Sequence, residues 1–126
     1  MLRAMGYRTQ LTNPGADRGY DIFASPDGLG LQEPRIFVEV KHHTAPIGAP
    51  AIRSFLGARR PGERGLYVST GGFTREAHYE AERSQIPIHL VNMQKLRHLL
   101  LEHYDQLDTA SRALVPLQRL YRPIRP

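Results

Sequence analysis

The chain has 126 residues, of which 40% are hydrophobic and 23% are charged, and this is the composition of one globular domain. It has no cysteine, which excludes disulfide frameworks and thiolate zinc sites. No stretch approaches the roughly 20 continuous apolar residues of a membrane span, and the N-terminus lacks the apolar run of a secretory signal, so we expect a soluble cytoplasmic protein with no membrane partner.

The positive charge is concentrated in two segments. The net charge is +5, and residues 53–64 contain four Arg and one Glu, while residues 112–125 contain four Arg and no acid. The planar guanidinium of Arg suits phosphate groups, so these segments suggest a polyanionic partner such as nucleic acid. The alternative is that they are solvated faces of helices.

The predicted elements of the first half are mainly strands. Residues 1–5 resemble the last turn of a helix that ends at Gly6. Strands are predicted at 7–11, 20–24 and 35–41, separated by loops rich in Gly and Pro. The third strand is the clearest, because branched residues alternate with other types; we expect one set to enter the core, namely Ile36, Val38 and Val40.

In the second half, helices alternate with strands. A helix is predicted from Pro50, a strand at 66–70, a helix at 75–83 with Thr74 as its N-cap, and a strand at 86–91. Asn92 caps the next helix, whose core positions are Leu96, Leu99 and Leu100, and helical signals then continue from Asp105 to Pro116. The order predicts an α/β fold whose mixed sheet begins as an antiparallel meander, continues with parallel crossovers and is flanked by helices.

Alternation also places candidate catalytic residues together. Phe37, Glu39 and Lys41 share one face of their strand. If residues 20–24 and 35–41 form a hairpin, Asp21 lies opposite Glu39, with the two Cβ atoms about 5 Å apart. Two carboxylates this close repel each other unless a cation intervenes, and their hard oxygen atoms suit Mg²⁺. The alternative is a salt bridge between Lys41 and its acidic neighbours on a solvated strand surface.

Three ordered motifs resemble the Mrr-like branch of restriction endonucleases, in the PD-(D/E)XK nuclease superfamily. They are Gly-Ala-Asp-Arg-Gly-Tyr-Asp-Ile at 15–22, Phe-Val-Glu-Val-Lys at 37–41, and Gly-Leu-Tyr-Val-Ser-Thr-Gly-Gly-Phe-Thr-Arg-Glu-Ala at 65–77. The resemblance extends from about Leu2 to Leu101. It implies a restriction-endonuclease-like nuclease domain over residues 1–104, with a truncated first helix, followed by a helical or extended basic tail over residues 105–126.

The resemblance also implies roles for the clustered residues. Asp21 and Glu39 correspond to the two acids of the motif, and Lys41 to the catalytic lysine. The main-chain carbonyl of Val40 would complete the shell of a Mg²⁺ ion, for which Mn²⁺ can substitute. The implied activity is Mg²⁺-dependent endonucleolytic cleavage of DNA that leaves a 5′-phosphate. The sequence has Glu39 where many Mrr-like proteins have Gln, and Tyr20, which should face the core, precedes Asp21 instead of an aliphatic residue.

Further positions are candidates for contacts with DNA or for supporting roles. The candidate DNA-binding residues are Arg53, Arg59, Arg60, Arg64 and Thr74. Asp17 suits either loop capping or a supporting role at the site, and Gly71-Gly72 suits either a phosphate contact or a plain turn. His42 and His43 suit either a contact with phosphate or a solvated strand end. The arginines of the tail are further candidates, at Arg112, Arg119, Arg122 and Arg125.

Two other functions fit the same residues. One is a nuclease that resembles Holliday-junction resolvases, because the chain is small and has no obvious specificity domain. The other is a DNA-binding or oligomerisation module of the same fold without catalytic activity. A homodimer is plausible for the endonuclease, because one site per chain cuts one strand.

Overall fold

A five-stranded mixed sheet lies at the centre of the protein. The computed structural model describes residues 2–11 and 20–114. The strands are β1 (Arg8–Leu11), β2 (Ile22–Ser25), β3 (Arg35–Lys41), β4 (Glu63–Ser69) and β5 (Ile88–Val91), and their order in the sheet follows the chain. The first three strands pair antiparallel, whereas β4 runs parallel to β3 and β5 parallel to β4. The predicted fold class is therefore confirmed.

In the described part of the chain, four α-helices accompany the sheet: α1 (Ala49–Gly57), α2 (Arg75–Glu82), α3 (Met93–Glu102) and α4 (Thr109–Leu114). The predicted N-caps are confirmed, because Thr74 accepts a hydrogen bond from the amide of Ala77 and Asn92 accepts one from that of Lys95. The N-terminal turn is a 3₁₀ helix at Arg3–Met5 that ends at Gly6, where φ is +99°. This positive φ is the conformation in which glycine is favoured.

The helical stretch predicted from Asp105 to Pro116 is interrupted. A 3₁₀ helix at Tyr104–Gln106 is separated from α4 by two residues. Leu107 is buried, and the carboxylate of Asp108 accepts a hydrogen bond of 2.7 Å from the amide of Ser111. Burial of Leu107 and capping by Asp108 therefore break the stretch into two short helices. Residues 115–126, with three of the tail arginines, lie outside the described residues.

Both faces of the sheet carry a hydrophobic cluster. The first cluster lies against α1 and α2 and consists of Ile52, Phe55, Tyr67, Ala77 and Leu90. The second has Val38, Val68 and Val91 at its centre, with Leu96 and Leu99 of α3 packed against it. Tyr20 and Phe37 pack against the first cluster, so Tyr20 faces the core as predicted.

Val40 departs from the expectation that it enters the core. Its side chain is 43% exposed. Its face of the sheet is covered by α3, but α3 contacts β4 and β5, and β3 lies to one side of it. Val40 instead lines an open groove of about 630 Å³ together with Leu11 and Ile22. The alternation of side chains along β3 agrees with the prediction, but no segment within the described residues packs over Val40 at that end of the strand.

None of the helices in the described parts of the chain has both the length and the apolar character to cross a membrane.

Candidate active site

Asp21, Glu39 and Lys41 meet at one edge of the sheet. In the β2–β3 hairpin Phe23 pairs with Phe37 and Ile22 with Val38, and this register agrees with the prediction that Asp21 lies opposite Glu39. Asp21 immediately precedes the paired segment, and its amide donates a hydrogen bond of 2.7 Å to the carbonyl of Val38. Continuation of the same register places Asp21 beside Glu39, at the carboxyl end of β3.

The carboxylate of Asp21 is held by the backbone of β3. Its Oδ2 accepts a hydrogen bond of 2.8 Å from the amide of Val40. Asp21 lies just before β2 begins. Its side-chain oxygen, in place of a backbone carbonyl of a paired strand, therefore accepts the hydrogen bond from the Val40 amide. The hydrogen bond fixes one carboxylate next to the residue that lies between Glu39 and Lys41.

Glu39 and Lys41 form an ion pair. The Nζ atom of Lys41 lies 3.1 Å from Oε1 of Glu39, and the side chains are 41% and 15% exposed, respectively. The hydrogen bond to Glu39 and the charge of Glu39 raise the pKa of Lys41, partial burial opposes this, and Tyr67 and Asp21 add smaller contributions. Lys41 is therefore an ammonium ion in this arrangement, which suits it to orient a water molecule or to stabilise negative charge.

Tyr67 is a neighbour of the site that sequence reasoning did not single out. It pairs with Glu39 across the parallel β3–β4 ladder, and it is 3% exposed. Burial raises the pKa of Tyr67, the charges of Glu39 and Asp21 raise it further, and Lys41 lowers it. The phenol is therefore neutral and lies beside Glu39 on the neighbouring strand. Tyr67 reaches the site through the register of β3 and β4. The sequence alone does not specify that register, and knowledge of it would have identified Tyr67.

The residues present fit a hard divalent cation. Asp21 and Glu39 supply carboxylate oxygens from adjacent strands, and carboxylate oxygens are ligands that Mg²⁺ prefers. Within residues 2–11 and 20–114, no group of three or more His, Cys, Asp and Glu side chains is arranged to hold a metal ion. The role expected for the carbonyl of Val40 as a further ligand stays a prediction. Asp17 lies outside the described residues.

The candidate DNA-binding arginines do not form one surface. Arg59 is buried, with 9% of the residue exposed. Arg60 and Arg64 are exposed at the turn into β4 and at its start, about 16 Å of strand away from the end of β4 that borders the site. The turn between α1 and β4 therefore lies at the end of the sheet away from the site, and a DNA contact by Arg60 and Arg64 stays a prediction.

Arg53 and Thr74 both take part in interactions within the protein. The Nε atom of Arg53 lies 3.3 Å from Oε1 of Glu80, and the Arg53 side chain remains 62% exposed. The hydroxyl of Thr74 caps α2, at the same sheet edge as the site. A DNA contact by these two residues stays a prediction.

The loops that follow β3 and β4 are joined beside the site. The Oγ1 atom of Thr70 accepts a hydrogen bond from the amide of His43, donates one to the carbonyl of His43, and lies 3.2 Å from Nδ1 of His42. A side chain at Gly71 would overlap the backbone of residues 43 and 45, and Gly72 has φ of +80°. Close packing and a tight turn thus explain both glycines, and a contact of these loops with phosphate stays a prediction.

Comparison with known proteins gives one matching family model and one similar enzyme. The restriction endonuclease family model Mrr_cat matches residues 1–100. The chain is 32% identical over 113 residues to the Type IV methyl-directed restriction enzyme EcoKMrr of Escherichia coli (strain K12). The aligned region covers 86% of the chain and 36% of the enzyme. The chain therefore spans about a third of the length of that relative.

Two solved structures have a similar fold. MspJI restriction endonuclease in complex with a 27-mer oligonucleotide matches 90% of the chain and 28% of its own, with a TM-score of 0.60 and 24% identity. The DNA modification-dependent restriction endonuclease AspBHI matches 86% of the chain and 29% of its own, with a TM-score of 0.62 and 22% identity. At these identities the likeness concerns the fold.

Proposed function

Because the chain belongs to the Mrr-type restriction endonuclease family, we propose that it hydrolyses DNA phosphodiester bonds with Mg²⁺ at the site formed by Asp21, Glu39 and Lys41. The observation that carries the proposal is the convergence of two carboxylates and an ammonium at one sheet edge. The bond between Asp21 and the Val40 amide and the 3.1 Å contact between Lys41 and Glu39 hold these three groups together.

Each residue has a role in this proposal. Asp21 and Glu39 would hold Mg²⁺ together with the carbonyl of Val40, and Mn²⁺ could substitute. A bound divalent cation supplies charge neutralisation for phosphate and lowers the pKa of water. The raised pKa of Lys41 favours its charged form, so Lys41 orients the attacking water and stabilises negative charge that develops on the phosphate oxygens. Tyr67, buried beside Glu39 on β4, restricts the position of that carboxylate.

The reaction is hydrolysis of the bond between phosphorus and O3′. The water oxygen attacks phosphorus in line with the leaving O3′, the P–O3′ bond breaks, and the products are a 5′-phosphate and a 3′-hydroxyl. One proton of the water is transferred to solvent, and the leaving oxygen takes up a proton. The protein contributes mainly by positioning and electrostatic stabilisation, as in other phosphoryl-transfer sites.

Two of the relatives are described by the modification of DNA on which their action depends. EcoKMrr is described as methyl-directed and AspBHI as modification-dependent. The chain corresponds to about a third of each of these proteins. We assign the cleavage step to it.

Nicking of supercoiled plasmid tests the proposal. The wild-type chain, Asp21→Ala and Lys41→Ala are incubated with plasmid in Mg²⁺, Mn²⁺ or EDTA, and Arg97→Met, an exposed arginine on α3, serves as the matched control. We expect metal-dependent nicking by wild type and the Arg97 variant, and a loss of at least about 100-fold in the other two. Equal cleavage by Lys41→Ala would contradict the proposal.

The alternatives give different outcomes in the same assay. Cleavage of a four-way junction much faster than of linear duplex would favour an activity that resembles Holliday-junction resolvases. Duplex binding that weakens with salt, together with no product in any metal, would favour a non-catalytic DNA-binding module. Sedimentation of the chain with and without DNA tests the expected homodimer.

A further inference from the structure

Arg59 occupies an unusual position for an arginine. It directly follows the turn that ends α1, and its amide donates a hydrogen bond of 3.0 Å to the carbonyl of Leu56. Only 9% of the residue is exposed, whereas arginine is almost never fully buried unless it is engaged by other groups. Its position therefore calls for an explanation other than contact with solvent or with a bound polyanion.

The guanidinium of Arg59 lies against three aromatic rings. Its Cζ atom is 4.5 Å from the ring centroid of Phe37, 4.8 Å from that of Phe55 and 5.5 Å from that of Tyr20. All three distances are within the range of cation–π attraction, which is strongest when the groups are shielded from water. Tyr20 and Phe37 also contact each other edge to face, with centroids 4.8 Å apart.

Two of these rings belong to the segments that carry the catalytic acids. Tyr20 is the residue before Asp21, at the point where the described chain enters β2. Phe37 lies two residues before Glu39 on the same face of β3, so its side chain is the neighbour of that carboxylate along the strand. Arg59 therefore contacts both the ring directly before Asp21 and the ring two residues before Glu39.

We propose that Arg59 is a positioning residue for the metal-binding acids: by packing against Tyr20 and Phe37 it holds the segment that enters β2 against β3 and so fixes the separation of the Asp21 and Glu39 carboxylates. The inference rests on the proposed function for the identity of those acids as metal ligands. It replaces the phosphate contact that was expected for Arg59 from the sequence.

The charge and shape of arginine both matter for this role. Burial lowers the pKa of Arg59, and the negative charges of Glu63 and Glu39 oppose that shift. Arginine keeps its charge under such burial because the ordinary pKa of its guanidinium lies far above neutral. A guanidinium is planar and weakly hydrated, so it can lie flat on aromatic rings, whereas the compact ammonium of lysine is strongly hydrated and cannot.

The role of a positioning residue differs measurably from that of a phosphate contact. Loss of a phosphate contact weakens DNA binding and lowers the salt dependence of log K by about 0.9. Loss of a residue that orients a metal ligand typically lowers metal affinity or activity by about 10- to 100-fold. The first effect needs no metal, and the second is visible on the metal alone.

The experiment measures Mn²⁺ binding to the full chain without DNA, by the electron paramagnetic resonance signal of free Mn²⁺. The variants are Arg59→Met, Arg59→Lys, Tyr20→Leu and the double variant of Arg59→Met with Tyr20→Leu; Arg97→Met is the matched control and Asp21→Ala defines the loss of the site. Circular dichroism and thermal unfolding identify the variants that retain the native fold. DNA affinity is measured in EDTA at several salt concentrations.

We expect Arg59→Met and Tyr20→Leu each to weaken Mn²⁺ binding by about tenfold or more. The double variant should be little weaker than either single variant, because both remove the same stack. Arg59→Lys should recover only part of the affinity, and Arg97→Met should match wild type. DNA affinity in EDTA and its salt dependence should be unchanged in the folded variants.

Either of two results would overturn this inference without affecting the proposed function. One is a Mn²⁺ affinity equal to wild type in a folded Arg59→Met, and the other is a lowered salt dependence of DNA binding in that variant. If Arg59→Met does not fold, Tyr20→Leu and Arg59→Lys carry the test, and unchanged Mn²⁺ affinity in both would overturn it. Failure of the proposed function is a different result, in which wild type does not nick plasmid and binds Mn²⁺ no better than Asp21→Ala.

Discussion

The Oδ2 atom of Asp21 accepts a hydrogen bond of 2.8 Å from the backbone amide of Val40, one strand away. This bond gives Asp21 a structural role in addition to its proposed role as a metal ligand. Substitution by asparagine keeps an oxygen that can accept the bond, whereas substitution by alanine removes the acceptor. The two roles can therefore be separated.

We expect Asp21→Asn to unfold at nearly the wild-type denaturant midpoint and Asp21→Ala to lose about 1 kcal/mol of stability, the usual contribution of one hydrogen bond. Both variants should lose metal-dependent nicking. Urea unfolding followed by circular dichroism, beside the plasmid assay, checks both points. Nicking by Asp21→Asn at the wild-type rate would show that the charge of Asp21 is not needed.

Removal of the Lys41 ammonium should change metal binding and catalysis in opposite directions. Lys41 now neutralises Glu39 at 3.1 Å, so it competes with a divalent cation for that carboxylate. In Lys41→Met the carboxylates of Asp21 and Glu39 still repel each other, but no ammonium offsets this repulsion. We therefore expect Mn²⁺ to bind up to about tenfold more tightly. Nicking should nevertheless be lost, because the group that orients water is gone.

The control for this prediction is Lys95→Met, which removes the only other lysine of the chain, on the opposite face of the sheet. Mn²⁺ titration of the three proteins without DNA measures the affinities. Weaker Mn²⁺ binding by Lys41→Met than by wild type would mean that Lys41 supports the metal site instead of competing for it.

Gly71 should be sensitive to the smallest possible substitution. A Cβ atom at this position would lie 2.6 Å from the carbonyl oxygen of His43, a distance that requires the backbone to shift. Overpacking of this kind typically costs about 1–3 kcal/mol, so we expect Gly71→Ala to lower the free energy of unfolding by that amount. Gly57→Ala is the matched control, because a Cβ at Gly57 meets no atom within 4 Å.

The Gly57 variant should be as stable as wild type or slightly more stable, because alanine favours the helix over glycine. Equal unfolding midpoints for the Gly71 and Gly57 variants would show that the loops after β3 and β4 can separate without loss. Cleavage by Gly71→Ala should fall as well, since those loops border the carboxyl end of β3.

Glu80 should make stability depend on pH in acid. Partial burial tends to raise the pKa of Glu80, but hydrogen bonds and charges from Arg83 and Arg53 outweigh it and lower the pKa below the ordinary 4.5. A lowered pKa in the folded state stabilises the protein above the unfolded value, and this contribution is lost as the pH falls from about 4.5 through the lowered value.

We therefore expect wild type to have a higher Tm than Glu80→Gln at pH 7, with the difference shrinking to zero at pH values below the lowered pKa. Thermal unfolding at pH 7, 5, 4 and 3 measures this difference. Glu82→Gln, at an exposed position of the same helix, is the comparison. A difference between wild type and Glu80→Gln that persists unchanged at the lowest pH would mean that the carboxylate charge is not its origin.

Much of the fold could be predicted because it depends on local features. The bounds predicted for β3 agree with the structure, since alternation over seven residues is a strong signal. Thr74 and Asn92 cap their helices as expected, because capping depends on the residue type at one position. The start of β4 was predicted three residues late, since pairing with β3 extends it to Glu63.

The candidate site was predicted in part for the same reason. The period of a strand places Glu39 and Lys41 on one face, and the length of the hairpin loop sets the register that brings Asp21 to them. The roles of these residues in catalysis remain predictions. The bond of Asp21 to Val40 and the place of Tyr67 beside Glu39 depend on contacts between strands, which residue type and spacing within one strand do not specify.

The amino-acid sequence by itself determined the order of strands and helices, the caps, and the face of β3 that carries the charged residues. Only the tertiary structure decided that Arg59 is buried on aromatic rings while Val40 is exposed, the reverse of what their side chains suggest. The reason is physical: periodicity is a property of one segment, but burial depends on which distant segment covers it. For Arg59 that cover comes from Tyr20, Phe37 and Phe55, and for Val40 the nearest helix, α3, lies over the neighbouring strands instead.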